Sequence, residues 1–268
     1  MEDGSDKPKI SWKLLAFFIA FFVIVVAASI EYDLHFNPSE ENLEMETYCK
    51  VSTSNLANNG NYIYFITWNG SPFGGASSWA FYYMLEQYNS SGIKGNYTYS
   101  TSMQDYQYNN TPGIIFNNSE YNFTVNNKLI HFIPVYLYGE NLTNNTNEIK
   151  SGLSKLKSDP YISNKVYNDI KIYTTEVLIS GSDYSSANFS NISHINSVSL
   201  ITGQNGAYIF NGYIINPYHT FYNNSTKKNL SPESVMKNLT SSHPHYTSIK
   251  NSISSNESPL ITYLKKVY

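Results

Sequence analysis

The chain has 268 residues, a formal net charge of −3 and only 14% charged residues, with 25 tyrosines and no arginine. That balance excludes a basic nucleic-acid footprint, so no nucleic-acid partner is expected; the missing guanidinium also removes the usual bidentate clamp for phosphate or carboxylate. Cys49 is the only cysteine, which excludes an intrachain disulfide.

Leu14–Ile30 is an uncharged, almost wholly apolar run. Extended back through Ile10, Ser11 and Trp12, it approaches the roughly 20 residues of a bilayer-spanning helix. Lys7, Lys9 and Lys13 precede it, while Glu31 and Asp33 follow. Lysine bias therefore predicts a cytoplasmic tail over 1–13, a membrane helix over 14–30 and an extracellular remainder. The small residues Val26-Ala-Ala-Ser29 leave a cleaved signal peptide as the alternative. Residues 31–58 are polar and aperiodic, with Asn37-Pro38 and the acidic cluster Glu40, Glu41, Glu44 and Glu46, and read as a stalk that carries Cys49. The exterior domain is then 59–268.

Asn61–Trp68 reads as a strand with Ile63 and Phe65 on one face and Tyr62, Tyr64 and Ile66 on the other. A strand apolar on both faces suits the centre of a covered sheet. The turn Asn69-Gly-Ser-Pro-Phe-Gly-Gly-Ala76 follows, with Ser71 as N-cap and Pro72 at the first helical position. The pairs Trp79/Tyr83 and Ala80/Met84 continue this helix through Tyr88. Tyr97–Thr101, Gly113–Phe116 and Leu129–Tyr138 read as extended segments. Asn147–Asp159 carries Ile149, Leu153 and Leu156 on one face and stops before Pro160, so a helix is expected; Tyr161–Ile179 reads as a second, with an ambiguous β-branched end. Ser199–Ile215 is a hairpin around Asn205-Gly206. Ser231-Pro232 and Ser258-Pro259 start two further helices, to Leu239 and Val267.

Asn-x-Ser/Thr sequons are dense and predict N-linked glycans. They fall at Asn89, Asn96, Asn109, Asn117, Asn122, Asn141, Asn144, Asn188, Asn191, Asn223, Asn224, Asn229, Asn238 and Asn256; Asn69 is set aside because Ser71 has a capping role and Pro72 follows. None lies between Asn144 and Asn188 or between Asn191 and Asn223, where the helices and the hairpin are expected. Real acceptors need exposed loops.

A strand running through a short turn into a helix is where a thioredoxin-type fold carries its Cys-x-x-Cys dithiol. Ser71-Pro-Phe-Gly-Gly-Ala76 with Ser78-Trp-Ala80, Asp105-Tyr-Gln-Tyr-Asn-Asn-Thr-Pro112, Phe132-Ile-Pro-Val135 and the hairpin Ser199–Ile215 together carry a resemblance over about residues 60 to 268. On these blocks the chain resembles a family of uncharacterised, membrane-anchored archaeal proteins with a thioredoxin-type domain. The resemblance implies an α/β fold: a thioredoxin-like central sheet flanked by helices with insertions, preceded by one N-terminal transmembrane helix. The departures are specific. Ser71 and Gly74 stand at the sulfur positions, so Ser71, Pro72, Phe73 and Gly74 form a degenerate redox motif, and Ser199 stands where the fold's cis-proline is expected. Thiol exchange needs an attacking thiolate, so this site is redox-inactive.

The expected function is that of a glycosylated, membrane-anchored domain on the cell exterior, binding protein partners or serving as an accessory subunit of a cell-envelope or membrane complex. Its expected partners are the membrane and other membrane or envelope proteins, with no cofactor and no metal. The helix start at Ser71–Gly74, with Phe73 and Trp68 nearby, suits a peptide or an anion. The alternative is an enzyme of non-thiol chemistry. Of His35, His131, His194, His219, His243 and His245, the closest pair is His243-Pro-His245, which lacks helical metal-ligand spacing. No nucleophile elbow, zincin or phosphate-loop motif occurs, and Asp105, Asp183 and Glu176 form no defensible pair.

Overall fold

A computed structural model describes residues 21–24, 42–103, 108–142, 148–223, 225–226, 228–241 and 247–268. The chain divides into one unit over Met1–Pro38 and another over Ser39–Tyr268. Of the first, only Phe21–Ile24 are described, as helix. The expected fold class is corrected here: among the described residues no helix is long and apolar enough to cross a membrane. The rest of Leu14–Ile30 and the tail 1–13 lie outside the described residues. What is described is a mixed α/β unit with a multi-strand sheet and helices.

The stalk expectation also changes. Its last part supplies β1 (Asn42–Leu43) and β2 (Tyr48–Ser52), and in β2 both Tyr48 and Cys49 are buried. Polar spacing hid β2 because an edge strand needs only a few inward side chains. β2 closes one edge of a six-stranded sheet, in which it is followed by β10 (Gly206–Asn211), β9 (Val198–Gly203), β3 (Asn61–Thr67), β7 (Lys128–Tyr136) and β6 (Tyr121–Val125), in that order. At its centre lies β3 (Asn61–Thr67), parallel to β7 (Lys128–Tyr136) and antiparallel to β9 (Val198–Gly203). The two-sided apolar pattern of β3 has the predicted consequence. Ile63 and Phe65 enter one core with Trp79, Phe81 and Phe132, while Tyr64 and Ile66 enter a second with Leu156, Val166 and Ile170. Each fully buried large side chain contributes roughly 1.5–3 kcal/mol, so both faces hold the sheet.

Helix α1 (Pro72–Gln87) leaves β3 and packs against the pair β4 (Tyr97–Thr101) and β5 (Pro112–Phe116). The approach is backbone to backbone: a Cβ on Gly113 would lie 2.6 Å from the Cα of Gly75. Trp79 Nε1 donates to the Pro112 carbonyl at 2.9 Å, and Ser78 Oγ accepts from Ile114 N–H at 3.0 Å. The strand β6 (Tyr121–Val125), absent from the sequence reading, pairs with β7 through Asn126-Asn127. Both asparagines adopt left-handed φ, 49° and 62°, which Asn tolerates better than most side chains.

Helices α2 (Glu148–Ser158) and α3 (Asn164–Thr175) cover the second face. Ser163 caps α3 by accepting from Val166 N–H at 3.2 Å. The helix expected through Ile179 stops at Thr175, and its β-branched tail forms β8 (Leu178–Ile179), parallel to β1. The hairpin is β9 with β10 (Gly206–Asn211). Gly206 has φ +126°, and a Cβ there would sit 2.4 Å from the Ser52 carbonyl oxygen.

The chain then forms α4 (Pro217–Phe221), the pair β11 (Tyr222–Asn223) and β12 (Lys228–Asn229), α5 (Pro232–Thr240) and α6 (Thr247–Val267). Ser231 caps α5 as expected from Ser231-Pro232. Ser258-Pro259 does not start a helix: Pro259 lies inside α6. Interior proline costs about 3 kcal/mol, and the full burial of Ile253, Leu260, Leu264 and Val267 along α6 outweighs it.

Candidate functional site

At Thr67 the sheet ends and the chain turns into α1. Ser71 is extended, at φ −68° and ψ 124°, and its Oγ accepts from Gly74 N–H at 2.9 Å. Gly75 N–H bonds the Ser71 carbonyl at 2.8 Å. Pro72 has no N–H to place. Of the donors that open the helix, Phe73 N–H is thus the one left without an acceptor among the described residues. Gly74 is fixed by its neighbour: a Cβ would lie 1.9 Å from Thr67 Oγ1. A cysteine cannot occupy position 74 while Thr67 stays where it is.

A cavity of about 510 Å³ opens over this turn. It lies beyond the carboxyl ends of the parallel strands β3 and β7, where open α/β sheets bind ligands. Trp68 and Ser71–Phe73 form one wall; Met103, Tyr108 and Leu142 form a second; Phe189–Ile192, His194 and Asn196 form a third. Phe73 is held edge-on by Tyr108 and Tyr213, at centroid separations of 5.5 and 5.1 Å. His194 is buried, with Nδ1 2.7 Å from the Ile192 carbonyl. A carbonyl can only accept, so Nδ1 carries the hydrogen and Nε2 is the basic nitrogen in the neutral ring.

Tyr138 braces this third wall. Its hydroxyl donates to the Glu148 carbonyl at 2.9 Å and accepts from Ile195 N–H at 3.2 Å. Burial pushes its pKa up to about 12, with the Ile195 N–H opposing. It therefore stays a hydroxyl at neutral pH and keeps both bonds. Asn196 is 5% exposed, and its Oδ1 accepts from Ser197 N–H at 2.9 Å. That bond fixes which amide atom is oxygen. Nδ2 is left without a partner among the described residues, on a side chain that lines the cavity. Trp68 Nε1 is buried and likewise unpartnered. No lysine, aspartate or glutamate stands among the described lining residues.

The positions expected from sequence divide. Ser71, Pro72 and Phe73 line the cavity, and Gly74 sits just behind them against Thr67. Ser199 does not reach it: it is buried within β9, opposite Phe65 on β3 and Phe210 on β10. The residue before β9 that reaches the cavity is Asn196, three positions earlier, and counting back from the start of the strand rather than matching the hairpin would have found it. No cis peptide bond occurs among the described residues. Cys49 lies in β2 opposite Ile209 and is not part of the cavity. His131 pairs instead with Glu120 at 2.6 Å and stacks on Tyr62, while Glu176 pairs with Lys171. Asp183 is exposed and His219 lies in α4. His35, Asp105, His243 and His245 are outside the described residues. Among the described residues no three His, Cys, Asp or Glu side chains gather as a metal site.

Among the sequons, Asn89, Asn109, Asn117, Asn141, Asn188 and Asn191 are exposed, and Asn191 lines the cavity. Asn96, Asn122, Asn223, Asn229 and Asn256 are half-buried, and Asn144 and Asn224 lie outside the described residues. Asn238 departs from the exposed-loop expectation. It is buried in α5, and its Nδ2 donates to the Ser234 carbonyl at 2.6 Å.

No curated protein and no solved structure matches the chain. Residues 47–260 match the family described as Domain of unknown function (DUF929), and the chain belongs to that family.

Proposed function

We propose that the unit is a thioredoxin-like recognition domain without redox chemistry, which binds a protein partner in the cavity at the start of α1. The scaffold reading is supported by strand order: β10-β9-β3-β7, with β9 antiparallel and α1 following the central strand. The absence of thiol redox chemistry is supported by Ser71 and by Gly74, where Thr67 leaves no room for a larger side chain. The observation that carries the recognition reading is the cavity itself. It combines aromatic and aliphatic walls with a buried amide whose donor has no protein partner, the usual composition of a binding cleft. The exposed sequons are read as glycan acceptors, with Asn191 at the rim of the cavity.

Selection of random displayed peptides on the full chain tests this. Peptides recovered on the wild type should bind Ile192→Glu at least about tenfold more weakly, because a charge enters an apolar wall. They should bind Leu129→Glu unchanged, since Leu129 is 52% exposed on β7 and lines no part of the cavity. Peptides that bind both variants alike would remove the cavity from the account.

A further inference from the structure

We propose that the cavity receives the C-terminal carboxylate of a partner chain together with its last apolar side chain. The inference rests on the recognition reading above and names the chemistry recognised. Two donors without protein acceptors belong to residues that line the same space: Phe73 N–H at the start of the 16-residue helix α1, and Nδ2 of Asn196. A helix start carries about half a positive charge, and no acidic residue occupies the first turn of α1 to neutralise it.

The charge that fits is a single negative one. The described lining contains no lysine and the chain has no arginine, so a phosphate dianion would lack the cation it needs. A neutral internal peptide carbonyl brings one acceptor atom to two donors. A carboxylate brings two oxygens. The walls complete the specificity, since Met103, Leu142 and Ile192 offer apolar surface to a terminal Leu or Phe side chain. A volume of about 510 Å³ holds a terminal residue or two, not a folded domain. Phe189, 50% exposed, stands at the rim beside Tyr184 at 6.2 Å and offers a surface to the residues that precede the terminus.

A free apolar acid shares this chemistry, so the test separates the two sources. N-terminally fluorescein-labelled hexapeptides ending in Leu, as free acid and as C-terminal amide, are titrated against the full chain by fluorescence anisotropy, with octanoate as competitor. The free acid should bind at least about tenfold more tightly than the amide. In Asn196→Asp, whose Oδ1 still accepts from Ser197 N–H while the donor becomes a charged oxygen, that preference should vanish; the residue is 5% exposed, so the variant loses some stability, and a single cooperative thermal transition shows that it is folded. Ile192→Lys, which adds a cation at a half-buried wall position, should widen it. Equal binding of acid and amide by the wild type would overturn the carboxylate assignment and leave cavity recognition standing. Octanoate binding as tightly as the peptide would overturn the partner-chain assignment in favour of a small acid. Binding of neither peptide would overturn the proposal, and the Ile192→Glu selection would then decide the recognition reading separately.

Discussion

Gly74→Ala is the sharpest test of why the motif cannot carry a dithiol. In an ordinary helix this change stabilises by roughly 0.5–1 kcal/mol. Here the new methyl would lie 1.9 Å from Thr67 Oγ1, 2.9 Å from its Cβ and 3.1 Å from its Cγ2. The helix cannot retreat, because Gly75 is already against Gly113 and Trp79 is tied to the Pro112 carbonyl. Overpacking of this kind costs about 1–3 kcal/mol and occasionally more. The steric cost wins, and the net loss should be about 2 kcal/mol, which lowers the melting temperature by about 4–8 °C for a unit of this size. Thr67→Ala removes the closest atom, and Thr67 Oγ1 is buried without a partner, so that change alone should cost little. In a double-mutant cycle the pair should couple by at least about 1 kcal/mol. Equilibrium denaturation of the four proteins measures this. A neutral or stabilising Gly74→Ala, or a pair that simply adds, would refute the steric argument.

Three further outcomes follow from the same geometry. Ser71→Ala strips the acceptor from Gly74 N–H at a residue 1% exposed, and should cost about 2 kcal/mol; Ser231→Ala, whose bond to Ser234 N–H is 3.3 Å and exposed, should cost no more than about 1 kcal/mol. Chemical denaturation should preserve that order, and equal losses would contradict it. Burial raises the Asp169 carboxyl on α3 from 3.8 to about 7, with Lys165 opposing. The folded chain then keeps a proton that the unfolded chain has lost, so stability falls as pH rises from about 4 through about 7. Asp169→Asn should flatten that slope and exceed the wild type at about pH 8 by on the order of 2 kcal/mol; an unchanged slope would shift the cause elsewhere. If the chain is glycosylated, glycopeptide mass spectrometry should find sugar on exposed Asn109 and Asn117 and none on Asn238, whose amide is buried and bonded to Ser234.

Local chemistry was readable in the sequence, and long-range chemistry was not. Ser71-Pro72 and Asn205-Gly206 announce a cap and a hairpin because each acts within four residues. Two-sided apolar β3 announced a central strand because the pattern that distant elements cover is written in its own seven residues. Ser258-Pro259 misled because the burial of Leu260 and Leu264 is decided by other elements. The stalk reading missed β2, whose Tyr48 and Cys49 are buried in the two different cores by residues far away in sequence. One wall of the cavity was legible. Ser71–Phe73 came from the motif, whereas Asn196, Ile192 and Phe189 belong to an irregular loop that only the fold brings to α1. Ser199 lies within β9 opposite Phe65, away from the cavity, because the strand's position relative to β3 is set by the whole sheet.

We propose that a partner chain occupies the cavity at the start of α1 in the cell. A photoreactive benzoylphenylalanine placed at Ile192 in intact cells tests it directly, with the same residue at Leu129 as the control. Crosslinks to a partner protein should form from position 192, disappear in Asn196→Asp, and be absent from position 129. Equal crosslinking from both positions, or from 129 alone, would contradict it.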